Sequence, residues 1–225
     1  MIDKESVIEL SPSATADASI IWLHGLGADG NDFVPIVEAL ELPEHHGIRF
    51  LFPHAPVRPV TLNAGTRMRA WYDIVGIGED FVEDDTGILE SQMFINTIIE
   101  REINKGIAPE RIILAGFSQG GSLALHTGLR FNQALAGILC LSGYLCLRQV
   151  LEVQRQAVQQ STPIMMMHGV DDPVVDCSLG KHSYIKLLKE NLNVSWMEYH
   201  MQHTVCHEQL GDIRQFISTS LGLTD

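Results

Sequence analysis

The sequence predicts an α/β domain: a mainly parallel central sheet with helices on both faces and no large separate lid. Three observations carry that prediction. Aliphatic runs of strand length, each stopped by glycine or a polar turn, recur along the chain. Between them lie segments with apolar residues at helical spacing, and strands that alternate with helices call for parallel crossovers. Each loop rich in His, Ser, Asp and Gly follows one of these strands, where open parallel sheets gather their chemistry.

Taken in order, residues 6–10 alternate weakly and suit an edge strand, and the small polar stretch 11–17 is a turn. Ala18–Leu23 is an apolar run ending at His24-Gly25-Leu26-Gly27, a buried strand feeding a glycine-rich loop. Asp29 or Asn31 caps a helix expected over 32–40, with Phe33, Ile36, Val37 and Leu40 on one face. Residues 48–52 form the next strand, stopped by Pro53-His54-Ala55-Pro56. The stretch 58–85 is long, irregular and aromatic, holding Trp71, Tyr72 and Phe81. Loops of that length are functional or disordered, and the aromatics argue against disorder.

Residues 86–105 place Ile88, Leu89, Met93, Ile95, Ile98, Ile99 and Ile103 at helical spacing, closed by Gly106. The aliphatic run that opens at Ile112 reads as a fully buried strand, breaks into Gly116-Phe117-Ser118-Gln119-Gly120, and continues as a helix, Gln119–Arg130. Residues 136–141 are another strand, and the Gln-rich stretch 147–160 reads as a peripheral helix. A strand over 163–167, an amphipathic helix over 177–190, a last strand Val194–Tyr199 and a closing helix over 205–221 complete the chain. No repeat, low-complexity tract or linker divides it, so residues 1–225 are expected as one domain.

Composition bounds the function. Lys and Arg total 15 against 28 Asp and Glu, a formal charge of −13, and no basic run offers a surface for nucleic acid. The same charge gives no reason for tight binding to anionic membranes. The first six residues lack an apolar signal core, and no apolar run approaches the ~20 residues that cross a bilayer. Cys140, Cys146, Cys177 and Cys206 form no C-x-x-C pair, so a cytoplasmic protein with reduced thiols is expected.

Gly116-Phe117-Ser118-Gln119-Gly120 fits G-x-S-x-G between strand and helix, the setting of a nucleophile elbow. Glycines two residues either side leave room for a serine in a strained backbone conformation. The following helix aims its N-terminal N–H groups at that serine and favours negative charge beside it. A glycine-rich turn with an incidental serine has the same pentapeptide, so partners downstream decide the matter.

A serine hydroxyl needs a base, and ten histidines compete for the role. His45 and His46 sit in a polar stretch and read as solvated. His54, His126 and His182 read as loop, helix-packing and helix-surface residues. His24 and His168 precede glycine at strand ends and are expected to hydrogen-bond the loops they enter. His203 lies between the last strand and last helix, where the base of an elbow serine belongs; His200 and His207 are its near rivals.

Asp172, ahead of Pro173, is the expected acid that holds the imidazole, because the proline projects it from the turn. Asp171 is then expected to cap that turn, and Asp176 the helix after it. Ser, then Asp, then His is the chain order of α/β-hydrolases. Oxyanion donors are expected at the main-chain N–H groups of Gln119 and Leu26. His200, His203, Cys206 and His207 could instead hold a metal, but no H-E-x-x-H is present and the elbow would go unexplained, so no metal is expected.

A set of segments now carries a resemblance. They are Leu23-His24-Gly25-Leu26-Gly27-Ala28-Asp29-Gly30, Pro53-His54-Ala55-Pro56, Trp71-Tyr72-Asp73, the elbow with Gly121, Leu141-Ser142-Gly143, the run from His168 to Val175, and Tyr199 to His203. In that order they resemble the small carboxylesterase/acyl-protein thioesterase (phospholipase/carboxylesterase) family of α/β-hydrolases over nearly the whole chain. The resemblance implies an α/β-hydrolase fold and a cofactor-free serine hydrolase of acyl esters and thioesters. Its substrates would be small esters, lysophospholipids or acylated proteins. The implied catalytic residues are Ser118, Asp172 and His203, with Leu26 and Gln119 as oxyanion donors. The resemblance also suggests that 58–85 lines an acyl groove with Trp71 at its edge, a substrate-binding role set against that of a core anchor. Aromatics in that stretch could equally serve a homodimer. One departure concerns Gln202, which stands where the family usually has glycine.

The leading expectation is an acyl-serine hydrolase. A non-catalytic fold of the same type that binds acyl ligands or a protein partner is the alternative.

Overall fold

The computed structural model describes residues 6–223 apart from 14, 44 and 77–81, so Phe81 lies outside the described residues. Strands β1 (Val7–Leu10), β2 (Ala18–Leu23) and β3 (Ile48–Pro53) are followed by a short pair, β4 (Val57–Val60) and β5 (Thr66–Arg69). Then come β6 (Ile112–Phe117), β7 (Gly137–Leu141), β8 (Ile164–Gly169) and β9 (Val194–Tyr199). Seven of them form one sheet in the order β1-β3-β2-β6-β7-β8-β9. Only β1 runs antiparallel, pairing Val7 with Pro53 and Leu10 with Phe50 at the edge. All six residues of β2 are buried, as a strand covered on both faces requires.

Alternate residues feed two layers. Ile21, Leu23 and Leu51 meet α2 (Asp85–Asn104) and α3 (Gln119–Arg130) through Ile88, Ile95, Ile98 and Leu123. Ile20, Trp22, Phe50 and Ile113 turn the other way, onto α1 (Ile36–Ala39) and α6 (His207–Leu221) through Ile36, Ile213 and Ile217. A third cluster joins Leu125 and Leu129 of α3 to Leu187 of α5 (Cys177–Lys189). Each such side chain, fully buried, contributes ~1.5–3 kcal/mol. The buried Glu102 carboxylate fastens α2 to the sheet, meeting Arg49 Nη1 at 2.6 Å, Lys105 Nζ at 3.0 Å and the Ser19 hydroxyl at 3.0 Å. A buried charge stripped of such partners would be strongly destabilising.

Three stretches differ from the sequence expectation. The helix expected over 32–40 is a 3-10 turn, Gly30–Phe33, capped by Asp29, followed by one turn of α1. Pro35 lies between them and has no N–H to continue the ladder. The irregular stretch 58–85 holds the β4–β5 hairpin, with Val57 opposite Arg69 and Val60 opposite Thr66. Residues 147–160 form only α4 (Leu151–Gln154) and a 3-10 turn, Ala157–Gln160. Helix α2 lies within one residue of its expected bounds at each end, capped by the Asp84 side chain on the Gly87 N–H at 2.9 Å and closed before Gly106 at φ +97°.

Candidate active site

β6 delivers Ser118 at its carboxyl end with φ 55° and ψ −122°, a conformation that costs on the order of 1–3 kcal/mol for a residue with a side chain. Its neighbours hold it there. The Ser118 N–H donates to Leu141 O at 2.8 Å, and its carbonyl accepts from the Ser122 N–H at 3.0 Å. The turn is tight because α3 starts against the end of β2: a Cβ on Gly120 would overlap the Leu23 carbonyl. All twelve residues of α3 are buried, so the elbow sits on a rigid support.

The structure brings together the three side chains expected from the sequence. His203 Nε2 lies 2.9 Å from Ser118 Oγ, and His203 Nδ1 lies 2.7 Å from Asp172 Oδ2. A carboxylate only accepts, so the imidazole proton belongs on Nδ1 and Nε2 faces the serine hydroxyl as an acceptor. Phe117 supports the imidazole with ring centroids 4.7 Å apart. His200 and His207 point to solvent instead. Both nitrogens of His203 are engaged, and among the described residues no three His, Cys, Asp or Glu side chains converge as metal ligands.

Several roles differ in detail. Asp172, rather than Asp171, caps the turn after β8: its Oδ1 accepts from Val174 N–H at 2.8 Å and Val175 N–H at 2.9 Å. Asp171 is exposed. Proline at 173 has no N–H of its own, so the first donors the Asp172 side chain meets along the turn are those of residues 174 and 175. Asp176 caps α5 as expected, through Ser178 N–H at 2.8 Å. His46 is half-buried rather than solvated; its Nδ1 accepts from Ile48 N–H at 2.9 Å. Cys206 sits at the N-cap of α6, half-buried, rather than inside the helix. Gln202 is exposed and stays out of the positive-φ region, so no glycine is required there.

His24 and His168 brace their loops. His24 Nε2 accepts from Ala55 N–H at 3.0 Å and its Nδ1 lies 2.7 Å from Gly25 O; burial pushes its pKa below the ordinary value and keeps the ring neutral. His168 Nε2 donates to Val175 O at 2.8 Å, and burial lowers its pKa as well.

The glycine loop after β2 passes beside the serine, since a Cβ on Gly25 would stand 3.4 Å from Ser118 Cβ. The Gly27 N–H ties the loop to β5 through Arg69 O at 2.9 Å, and the Ala28 N–H closes the loop's own turn on Gly25 O at 3.3 Å. The Leu26 N–H stays outside those bonds. Gln119 opens α3, so its N–H has no acceptor within the helix.

The proposed place of Trp71 at a groove edge is corrected by its burial. The ring is 0% exposed and offers no surface to a ligand. Its Nε1–H donates to His24 O at 2.8 Å, its N–H to Gln119 Oε1 at 2.8 Å, and its carbonyl accepts from the Ser91 hydroxyl. The Gln119 side chain closes the clamp by donating to Tyr72 O at 2.8 Å. Trp71 is therefore an anchor between the glycine loop and the elbow. Sequence reasoning missed the Gln119 side chain because only its main chain had an assigned task. It missed also a cavity of about 250 Å³ beside His203, lined by Asp32, Phe33, Phe117, Thr204 and Val205.

Comparison with known proteins bears on the family and the fold. A family model described as phospholipase/carboxylesterase matches residues 4–221. Acyl-protein thioesterase 1 of Gibberella zeae is 38% identical over 213 residues, 91% of each chain. Acyl-protein thioesterase 1 of Yarrowia lipolytica is 33% identical over 95% of this chain and 96% of its own. Among solved structures, Arabidopsis thaliana SOBER1 superposes with a TM-score of 0.86 at 31% identity, covering 91% of this chain and 99% of that one. Zea mays acyl-protein thioesterase 2 gives 0.84 at 27% identity, over 96% and 99%. With sheet order, elbow and matched length all in agreement, the chain belongs to the phospholipase/carboxylesterase family of serine hydrolases on the α/β-hydrolase fold.

Proposed function

We propose that the chain hydrolyses carboxylic esters and thioesters of acyl chains through an acyl-serine on Ser118, with His203 as proton carrier and Asp172 as its orienting carboxylate. The 2.9 Å approach of His203 Nε2 to Ser118 Oγ carries the proposal. Ser118 Oγ attacks the carbonyl carbon while Nε2 takes the hydroxyl proton, and Asp172 stabilises the imidazolium. Negative charge on the carbonyl oxygen is met by the Leu26 and Gln119 N–H groups; one such donor is typically worth ~3–4 kcal/mol. The C–O or C–S bond then breaks and the His203 proton goes to the leaving group. Water, deprotonated by the same imidazole, releases the acid. None of these steps calls on a cofactor.

The names of the thioesterase relatives support thioesters, and the family description supports oxygen esters. Cys140 and Cys146 are free and buried, and burial raises both thiols, that of Cys140 to about 12, so neither competes with Ser118 as a nucleophile. The test is kcat/KM over matched oxygen and thio esters from acetyl to palmitoyl. Turnover of both classes is expected, and a protein inert to every member would overturn the proposal.

A further inference from the structure

Beside the His203 imidazole lies the cavity of about 250 Å³ already noted. That is room for a group of several heavy atoms, since liquid water takes ~30 Å³ per molecule. Its walls come from three places. Asp32 and Phe33 belong to the 3-10 turn after the glycine loop, Phe117 precedes the serine, and Thr204 and Val205 follow the histidine. The site is built because Pro35 breaks the helix expected over this stretch, and the turn before it ends on Phe33.

The chemistry of the walls is selective. Asp32, itself exposed, is the one formal charge on the lining, the His203 imidazole being neutral, and no Lys or Arg is among the lining residues. Among the described residues its carboxylate has neither an ion pair nor a hydrogen-bond donor, whereas the neighbouring Asp29 is occupied by the Asn31 main-chain and side-chain N–H groups at 2.7 and 2.9 Å. Two aromatic rings share the lining. Phe33 and Phe117 are 5.7 Å apart at 45°, and Trp22 stacks behind Phe33 at 5.5 Å. An unpaired carboxylate beside aromatic rings, even at a solvent-open site, favours an organic cation over a neutral group of the same shape. An acyl chain or a neutral alcohol has no use for the carboxylate.

Position decides which half of the substrate sits there. His203 delivers its proton to the departing oxygen or sulfur, so a cavity walled by His203 adjoins the leaving group. We propose that this cavity is a leaving-group subsite selecting esters and thioesters whose alcohol or thiol carries an alkylammonium group. The inference rests on the acyl-serine reaction above. In that reaction the Ser118 Oγ–C bond forms, the C–O or C–S bond breaks, and the serine proton reaches the leaving atom through His203. The ammonium group is held and does not react. The chain's net charge of −13 attracts such substrates at long range.

The experiment compares butyrylcholine with its neutral isostere, 3,3-dimethylbutyl butyrate, each kcat/KM divided by that ester's own hydroxide-catalysed rate. p-Nitrophenyl butyrate serves as an independent monitor of the active site. The wild type is expected to favour the cation about fivefold, a modest cation–π and charge effect at an exposed site. Asp32→Asn should bring the ratio to about one and Asp32→Lys below it. A wild-type ratio of one, or a preference that both variants retain, overturns the subsite. So does failure of the wild type to hydrolyse either alkyl ester. If p-nitrophenyl butyrate is inert as well, the acyl-serine assignment falls with it.

Discussion

Asp172 meets His203 through one oxygen and spends the other on its own loop. Oδ2 lies 2.7 Å from His203 Nδ1, while Oδ1 accepts the N–H groups of Val174 and Val175. The carboxylate is thus fixed in rotation before it touches the imidazole. His168 adds a brace from below, with Nε2 on Val175 O at 2.8 Å and 3.5 Å from Asp172 Oδ2.

Asp172→Asn turns an amide toward the imidazole and favours the wrong tautomer. We expect kcat on p-nitrophenyl butyrate to fall about 10³–10⁴-fold. Asp171→Asn, altering an exposed side chain, should stay within about threefold. Equal losses in the two variants would exchange their roles.

Trp71→Phe removes the indole N–H and leaves the buried His24 carbonyl without that donor. Urea unfolding should register a loss of about 1–3 kcal/mol. Preference over acyl chain length should be unchanged, because the ring is 0% exposed. A shifted chain-length profile at unchanged stability would return Trp71 to the groove edge.

Burial, reinforced by Arg130, pushes His126 down to about 3. The folded pKa is depressed while the unfolded pKa stays near 6.5, so between those values the unfolded state binds the extra proton. Stability is therefore present above about pH 6.5 and lost as pH falls, by ~1.4 kcal/mol per unit for this one group. His126→Gln keeps a donor toward Gln92 and should flatten the unfolding free energy between pH 6 and pH 4 by about that slope. Parallel curves for the two proteins would contradict the assignment.

Much of this was legible in the sequence wherever a single physical signal dominated. Ala18–Leu23 and Val194–Tyr199 fall where aliphatic pattern put them, and α2 runs one residue earlier and ends one sooner than its spacing suggests. Ser118, Asp172 and His203 could be picked out because each follows a strand of a parallel sheet. Proline hid two elements. Pro35 broke a helix that apolar spacing supported, and Pro56 and Pro59 masked the alternation of β4 beside its turn at Ala64 and Gly65. The division of labour within Asp172, the clamp made by the Gln119 side chain, and the cavity at Asp32 depend on where loops from distant strands meet. No local pattern records that.

The central claim is that Ser118 forms a covalent acyl intermediate. Intact-mass measurement after a fluorophosphonate, followed by peptide mapping, tests it most directly. One adduct is expected, on Ser118, with no adduct and no esterase activity in a folded Ser118→Ala variant. Labelling elsewhere, or a Ser118→Ala protein that hydrolyses p-nitrophenyl butyrate at the wild-type rate, would contradict it.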